Sequence, residues 1–141
     1  MKGNPLATYL VSTSKYGVGD RLGSYATPLG RFEIAKKIGD GAQSGAVFKS
    51  RRLTGETLCP NAPGRDPIVS RILWLRGLDQ DNRNAYRRYI YIHGTVEERN
   101  IGRPVSYGCI RMKSADVIAL YSIVGIGAEV EIIKDPFPMT H

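Results

Sequence analysis

Short stretches of alternating apolar and polar residues, separated by glycine and proline, run through most of this sequence. Arg31–Lys37 places Phe32 and Ile34 on one side of the chain, and Ala128–Ile133 alternates in the same way. A period of two is typical of half-buried β-strands. Four further strands are predicted, at Thr8–Thr13, Ala46–Lys49, Ile72–Leu75 and Arg88–His93.

One segment, Ser114–Val124, has helical spacing instead. Its apolar residues recur at three- and four-residue steps, so that Val117 and Tyr121 share a face. Ser114 is expected to act as the N-cap, and Gly125 is expected to end the helix. Many short strands and one helix predict a mainly β fold.

Length and composition place the chain among ordinary globular domains. It has 141 residues, of which 42% are hydrophobic and 23% charged, so an intrinsically disordered chain is excluded and one domain over 1–141 is predicted, with a core of about 8–133. The net charge of +7 suits either an acidic partner or simple solubility. No nucleic-acid-binding motif is present, and no apolar run approaches the roughly 20 residues of a membrane span.

No secretory leader is visible at the N-terminus, which predicts a cytoplasmic protein unless a leader has been removed, in which case the periplasm or cell wall is expected. The two cysteines and two histidines lack the spacing of a zinc site. The run Asp79–Asn82 resembles the start of a calcium loop, but Asn84 and Ile90 stand where that loop needs glycine and glutamate. We therefore predict a solvated turn there, no metal and no cofactor.

Candidate chemistry lies in two segments, one ending a strand at His93 and one around Cys109. An imidazole beside a thiol can take its proton and leave a nucleophilic thiolate. Gly108 leaves room for a substrate carbonyl, and the amides of Gly108 and Cys109 can face an oxyanion. Arg111 can bind a substrate carboxylate. Taken singly, these residues also suit a buried cysteine and a structural histidine.

These segments resemble the signature of the L,D-transpeptidase (YkuD) catalytic-domain family. The matching residues are His93-Gly94-Thr95 and Ser106-Tyr107-Gly108-Cys109-Ile110-Arg111-Met112. Thr27–Phe32 also looks like the family's turn into a strand, and the resemblance extends from about Thr8 to Ile133.

The resemblance implies a β-sandwich-like fold of two packed sheets with short helices, one of them after the cysteine motif. It implies that Cys109 is the nucleophile, that His93 is its base, and that the Gly94 carbonyl orients the imidazole. The implied substrate is a peptidoglycan tetrapeptide stem, from which D-Ala leaves as a thioester forms. Carbapenems are the implied inhibitors.

Four further residues receive expectations. Ser106 is expected to shape the turn before the cysteine, and Arg111 to meet a substrate carboxylate or fix the loop. Tyr107 stands where many members carry a second histidine, so activation would rest on His93 alone. Tyr91 either lines a substrate groove or belongs to the core.

Three functions remain open. An L,D-carboxypeptidase, which hydrolyses the thioester, is favoured because no leader is visible. A cell-wall L,D-transpeptidase, forming 3-3 cross-links, is the alternative. A non-enzymatic domain that binds peptidoglycan or nucleic acid is disfavoured because both Cys109 and His93 are present. The oligomeric state and the third stem residue are not predicted.

Overall fold

The computed structural model describes residue 9, residues 11–104, residue 106 and residues 108–133. In this part of the chain the strands are β1 (Gly30–Ile38), β2 (Ala46–Lys49), β3 (Arg52–Thr57), β4 (Ile68–Gly77), β5 (Tyr91–Thr95), β6 (Ile110–Lys113) and β7 (Glu129–Ile132). One α-helix, α1 (Ser114–Ile123), and two short 3₁₀ helices, Gln80–Asn82 and Glu98–Asn100, complete it. The predicted mainly β fold is confirmed.

Strand β4 organises the sheet because it is long enough to pair with three other strands. The path runs β3-β2-β4-β1-β7, while β5 pairs with β4 and β6 pairs with β5. All pairs are antiparallel except β5–β6, which is parallel. Among the described residues, hydrogen bonds thus join the strands into one branched seven-stranded sheet, where the resemblance implied two sheets.

The two faces of β4, β5 and β6 have different contents. Leu73, Ile92 and Ile110 are neighbours in register, and they pack with α1 in the larger apolar cluster. On the opposite face, Ile72, His93 and Arg111 are neighbours in register. We call these the helix face and the site face. Side chains alternate across a strand, so each strand contributes to both.

Helix α1 forms close to its predicted place. Val117 and Tyr121 are buried against the sheet, as their spacing predicts. The N-cap is Lys113 rather than Ser114, which is the first helical residue. The Ser114 amide donates instead to a carboxylate oxygen of Glu98, at 2.9 Å, and its hydroxyl is 2.7 Å from that of Ser70. A glutamate from outside the helix therefore accepts the hydrogen bond of this amide. Its negative charge is also favourable near the positive, N-terminal end of the helix dipole.

Two other local predictions were right only in part. The predicted strand Arg88–His93 begins only at Tyr91, because Tyr89 has a φ of +57° and turns the chain. The predicted solvated turn Asp79–Asn82 is anchored: Asn82 is fully buried, and its side-chain amide donates to the Leu29 and Arg31 carbonyls at 3.0 and 2.9 Å.

Near the N-terminus, the prediction of a strand at Thr8–Thr13 falls partly outside the described residues. Within them, Ser12 and Ser14 make isolated bridges with Arg111 and Ser106. This segment therefore lies against the chain on both sides of Cys109. The tail from Lys134 onward is outside the described residues.

Candidate active site

The turn before Cys109 is shaped by Gly108 and Ser106. Gly108 has a φ of +120°, and a Cβ there would lie 3.2 Å from the Ala26 carbonyl oxygen, so glycine suits this position on both counts. The Ser106 hydroxyl donates to the Cys109 carbonyl at 2.6 Å and accepts the Gly108 N–H at 3.3 Å. Thr27 adds a hydrogen bond to the Gly108 carbonyl at 3.1 Å.

The Cys109 sulfur is held by backbone atoms of the turn that precedes β5. It donates to the Tyr89 carbonyl at 3.3 Å and accepts the Tyr91 N–H at 3.4 Å. The half-buried Cys109 also packs against the apolar cluster of Phe48, Ile72, Trp74 and Tyr91. Loss of solvent around the sulfur raises the pKa of Cys109 to about 11, although the Tyr91 N–H and nearby arginines favour the thiolate. The resting group at neutral pH is therefore the thiol.

His93 is buried in the middle of β5, with its tautomer set by the next residue. Its Nδ1 lies 2.7 Å from the Gly94 carbonyl oxygen. A carbonyl can only accept, so Nδ1 carries the proton and Nε2 has the free lone pair. Burial lowers the pKa of His93 to about 4, an effect that the Gly94 hydrogen bond partly opposes. The ring is thus a neutral imidazole.

Gly94 is required by packing as well as by this hydrogen bond. A Cβ at Gly94 would lie 2.5 Å from the Val69 carbonyl oxygen and 3.3 Å from a methyl group of Val117. Any side chain would therefore push β5 away from β4 and α1. The Gly94 contact that orients His93 depends on this close strand spacing.

Strand register brings His93 and Cys109 to the same face. In the parallel β5–β6 pair, His93 lies opposite Arg111 and Ile92 lies opposite Ile110. Continuing this register one residue toward the N-terminus of both segments places Cys109 opposite Tyr91. His93 and Cys109 are then diagonal neighbours on the parallel β5–β6 pair, two positions apart in register. The thiol proton is directed at Tyr89 in this state, so attack on a substrate requires the thiol to turn toward the imidazole.

Arg111 carries an ion pair within the protein. It lies 2.6 Å from an Asp66 carboxylate oxygen and 3.8 Å from one of Glu97, and both Arg111 and Asp66 side chains are 13% exposed. Asp66 also accepts the Thr95 hydroxyl at 2.5 Å. Of the two expectations for Arg111, bracing the loop is the one that these contacts favour, because its charge is already compensated.

Two charged residues that the sequence did not single out help to build the site. Asp66 sits in a loop with no local pattern that points to β6. Arg88 lies in the turn before β5, where its guanidinium donates to the Gly19 and Ala26 carbonyls at 3.1 and 2.5 Å and lies 3.6 Å from Asp20. It thereby fixes the loop that packs against Gly108.

An aromatic group borders the cysteine on the site face. Trp74 stacks on Tyr86 with centroids 4.5 Å apart and meets the Tyr91 ring edge-on at 5.3 Å. Tyr91 is 5% exposed and belongs to the core cluster beside Cys109, while the Tyr89 side chain is exposed. Tyr91 thus packs as core and borders the site.

The remaining expectations concern Tyr107, Cys59, a metal site and a membrane span. Tyr107 lies outside the described residues. Cys59 is an exposed thiol in a separate loop. Within the described ranges, no cluster of histidine, cysteine or acidic residues could hold a metal, and no helix has the length and apolarity needed to cross a membrane.

Comparison with known proteins gives a consistent family. The family model of the L,D-transpeptidase catalytic domain, YkuD, matches residues 1–132. The "Putative L,D-transpeptidase YqjB" of Bacillus subtilis is 28% identical over 109 residues, which are 77% of this chain and 53% of that protein. The "Putative L,D-transpeptidase YkuD" of the same organism is 50% identical over 46 residues, 33% of this chain and 28% of the relative. The chain thus spans about half or less of these relatives.

Solved structures share the fold at low sequence identity. L,D-transpeptidase 3 from Mycobacterium tuberculosis, solved with a faropenem-derived adduct, superposes with a TM-score of 0.54 at 20% identity, covering 89% of this chain and 44% of that one. An L,D-transpeptidase from Mycobacterium smegmatis gives 0.54 at 18% identity, covering 94% and 51%.

Proposed function

The chain belongs to the L,D-transpeptidase catalytic-domain (YkuD) family, and from this premise we propose that it is a cysteine acyl-enzyme acting on peptidoglycan tetrapeptide stems. We propose further that water is the acceptor, which makes it an L,D-carboxypeptidase that releases D-Ala. The observation that carries the proposal is that strand register places the tautomer-fixed imidazole of His93 on the same face as the thiol of Cys109, just before β6.

Acylation starts from two neutral groups. As the Cys109 sulfur attacks the carbonyl before D-Ala, its proton passes to Nε2 of His93 and a C–S bond forms. The Gly94 carbonyl, 2.7 Å from Nδ1, stabilises the imidazolium. That proton then moves to the leaving D-Ala nitrogen as the C–N bond breaks, so the products are a thioester and free D-Ala.

Deacylation uses the same base. His93 takes a proton from water as the oxygen attacks the thioester carbonyl, and returns it to the sulfur as the C–S bond breaks. The products are a tripeptide carboxylic acid, which ionises in water, and the regenerated thiol. A Gly108 N–H contribution to the oxyanion site requires its 3.3 Å bond to Ser106 to open.

Two opposite charges beside the imidazole act on its proton uptake. Arg111 is the register neighbour of His93, and its positive charge lowers the pKa of the imidazole. The Asp66 carboxylate, which is ion-paired with Arg111, raises that pKa and offsets part of the effect. Asp66 therefore belongs to the electrostatic support of the proposed base.

We propose water rather than an amine as the acceptor because the sequence offers few bases that could deprotonate an incoming amine. The sequence contains two histidines, His93 and His141, and tyrosine stands at position 107. A phenol with a pKa near 10 is a poor base for an incoming ammonium group. Cross-linking is the second candidate, because the relatives are named L,D-transpeptidases.

Product analysis separates these candidates. The protein is incubated with a disaccharide tetrapeptide, and products are identified by mass spectrometry. Tripeptide plus D-Ala is the expected result, a cross-linked dimer identifies the second candidate, and absence of turnover contradicts both. The control is Cys109→Ala, which should be inactive, beside Cys59→Ala, which should be active. A cytoplasmic location stays a prediction, to be tested by cell fractionation.

A further inference from the structure

We infer that Arg51 binds a carboxylate of the acyl-donor peptide and so determines substrate specificity at this site. The inference rests on the proposed function and assigns to Arg51 the part expected of Arg111. Arg111 is paired with Asp66 and Glu97, and its side chain is 13% exposed. A substrate carboxylate would have to displace these two internal partners.

Arg51 is presented to the site face by the β2–β3 turn. Ser50 and Arg51 have φ values of +49° and +66°, the left-handed conformation of a tight hairpin turn. Lys49 and Arg52 are paired on either side. The turn accounts for these φ values and fixes the point from which the Arg51 side chain leaves the hairpin.

The contacts of Arg51 converge on the residues that hold the cysteine sulfur. Its guanidinium carbon is 5.2 Å from the ring centroids of both Trp74 and Tyr89, and Nη1 donates to the Tyr91 hydroxyl at 3.1 Å. Tyr89 and Tyr91 are the same residues whose backbone atoms bond to the Cys109 sulfur. Arg51 therefore lies over the neighbours of the nucleophile.

The charge of Arg51 has no acidic partner among the described residues. Its neighbours are aromatic rings and one phenol, whereas Arg31, Arg65, Arg76, Arg88 and Arg111 each form an ion pair. A guanidinium has five N–H donors, and the Tyr91 bond occupies one of them. The remaining donors suit a planar carboxylate in a bidentate arrangement.

A neighbouring cation strengthens this preference for an anion. The Lys36 ammonium lies 5.2 Å from the Trp74 centroid and 6.0 Å from that of Tyr86. The Trp74–Tyr86 stack thus has cations around it. Two carboxylates of a tetrapeptide could use this site: the terminal one of D-Ala, or a second one on the diamino acid. Both present the same chemistry to Arg51.

The test compares Arg51→Met with Arg52→Met. Both variants remove one positive charge from the same hairpin, and Arg52 is exposed on β3. Each is assayed on the free tetrapeptide, its C-terminal amide and a side-chain amide. Arg51→Met should lower kcat/KM on the free peptide by about 10- to 100-fold, mainly through KM, while Arg52→Met should change it by less than about 2-fold.

Amidation identifies the carboxylate. On the peptide amide that lacks this carboxylate, the kcat/KM of wild type should itself fall by about 10-fold or more. On the same amide, the difference in kcat/KM between wild type and Arg51→Met should shrink to less than about 3-fold. Arg51→Lys should not restore full activity, because an ammonium does not reproduce the fork. Equal Arg51→Met losses on all three peptides, or equal losses in Arg52→Met, would overturn the inference.

Wild-type protein keeps the test decisive if Arg51→Met does not fold. Equal kcat/KM of wild type on the free peptide and both amides overturns the inference without any variant. Calorimetric binding of the peptides to Cys109→Ala adds a readout free of turnover, in which the free acid should bind more tightly. Wild type that neither binds nor processes any stem peptide contradicts the proposed function itself.

Discussion

The two faces of β4, β5 and β6 have different roles: one stabilises the fold, and the other carries the candidate reactive groups. The helix face is aliphatic, with Leu73, Ile92 and Met112 buried beneath α1. The site face carries His93 and Cys109 beside an aromatic cluster. Because successive side chains on a strand point to opposite faces, residues one position apart serve different ends. A rigid apolar layer on one side thus fixes the spacing of reactive groups on the other.

The difference has a physical basis in hydration. Burial of an aliphatic side chain removes no charge or hydrogen-bonding group from water, whereas a thiol and an imidazole become harder to ionise when they are buried. In this protein the burial of the site face raises the pKa of Cys109 to about 11 and lowers that of His93 to about 4. Both groups are neutral at rest, so the proposed attack on a substrate requires proton transfer.

The largest expected effect comes from the site face. Cys109→Ser should lower turnover by about 10³-fold or more, since a hydroxyl is far harder to activate than a thiol. The melting temperature should stay within about 2 °C, because the packing around the side chain is kept. Activity assays and thermal unfolding of the same preparation check both statements. Cys59→Ser is the matched control, and a comparable loss there would contradict the assignment.

The helix face should give the opposite result. Met112 is 1% exposed in the apolar cluster and sits three residues after Cys109. Met112→Ala should lower the free energy of unfolding by about 2–5 kcal/mol through the cavity that it leaves. Urea unfolding measures this loss. The folded variant should keep kcat/KM within about 3-fold; a loss like that of Cys109→Ser would mean that the faces are not separable.

The sequence predicted β1 and β2 almost as observed and missed β3 and β6. β2 was predicted with its observed bounds, and β1 within one residue at each end, because their apolar residues face a core. All six residues of β3 are exposed, so its sequence carries no burial pattern, and no strand is predicted there. A local pattern of apolar and polar residues reflects burial, so an exposed edge hairpin shows no such pattern.

At the site, the resemblance predicted the contact of His93 with Gly94 but not the partners of Arg111. The 2.7 Å contact of His93 with Gly94 joins adjacent residues and was expected from the resemblance. The pairing of Arg111 with Asp66 joins residues 45 positions apart through loop geometry. Side-chain partners of this kind depend on the tertiary fold, which no local pattern encodes.

A smaller effect is expected at the edge of the site face. Arg111→Lys keeps the charge but replaces a fork held by Asp66 and Glu97. We expect a loss of about 1–2 kcal/mol in the free energy of unfolding, well below the cost of breaking a buried pair outright. kcat/KM should fall by the same factor on free and amidated peptides. A fall in kcat/KM that is confined to the free peptide, with no change in the free energy of unfolding, would show that Arg111 binds the substrate.

The last expected effect concerns pH and the buried imidazole. The folded-state pKa of His93 is about 4, against about 6.5 for an unfolded histidine. Between these values the unfolded chain binds a proton that the folded chain does not. Stability is therefore fully present above pH 6.5 and falls as the pH drops toward 4. At pH 5 the loss from this group is about 2 kcal/mol, at about 1.36 kcal/mol for each pH unit below 6.5.

His93→Gln isolates this contribution, because glutamine does not titrate. Urea unfolding of wild type and variant at pH 7.5 and pH 5.0 gives a double difference in which the other titrating groups cancel. Wild type should lose about 2 kcal/mol more than His93→Gln over this range. The same loss in both proteins would mean that His93 titrates normally, that Asp66 outweighs Arg111 and burial around it, and that the site face does not rest as a neutral pair.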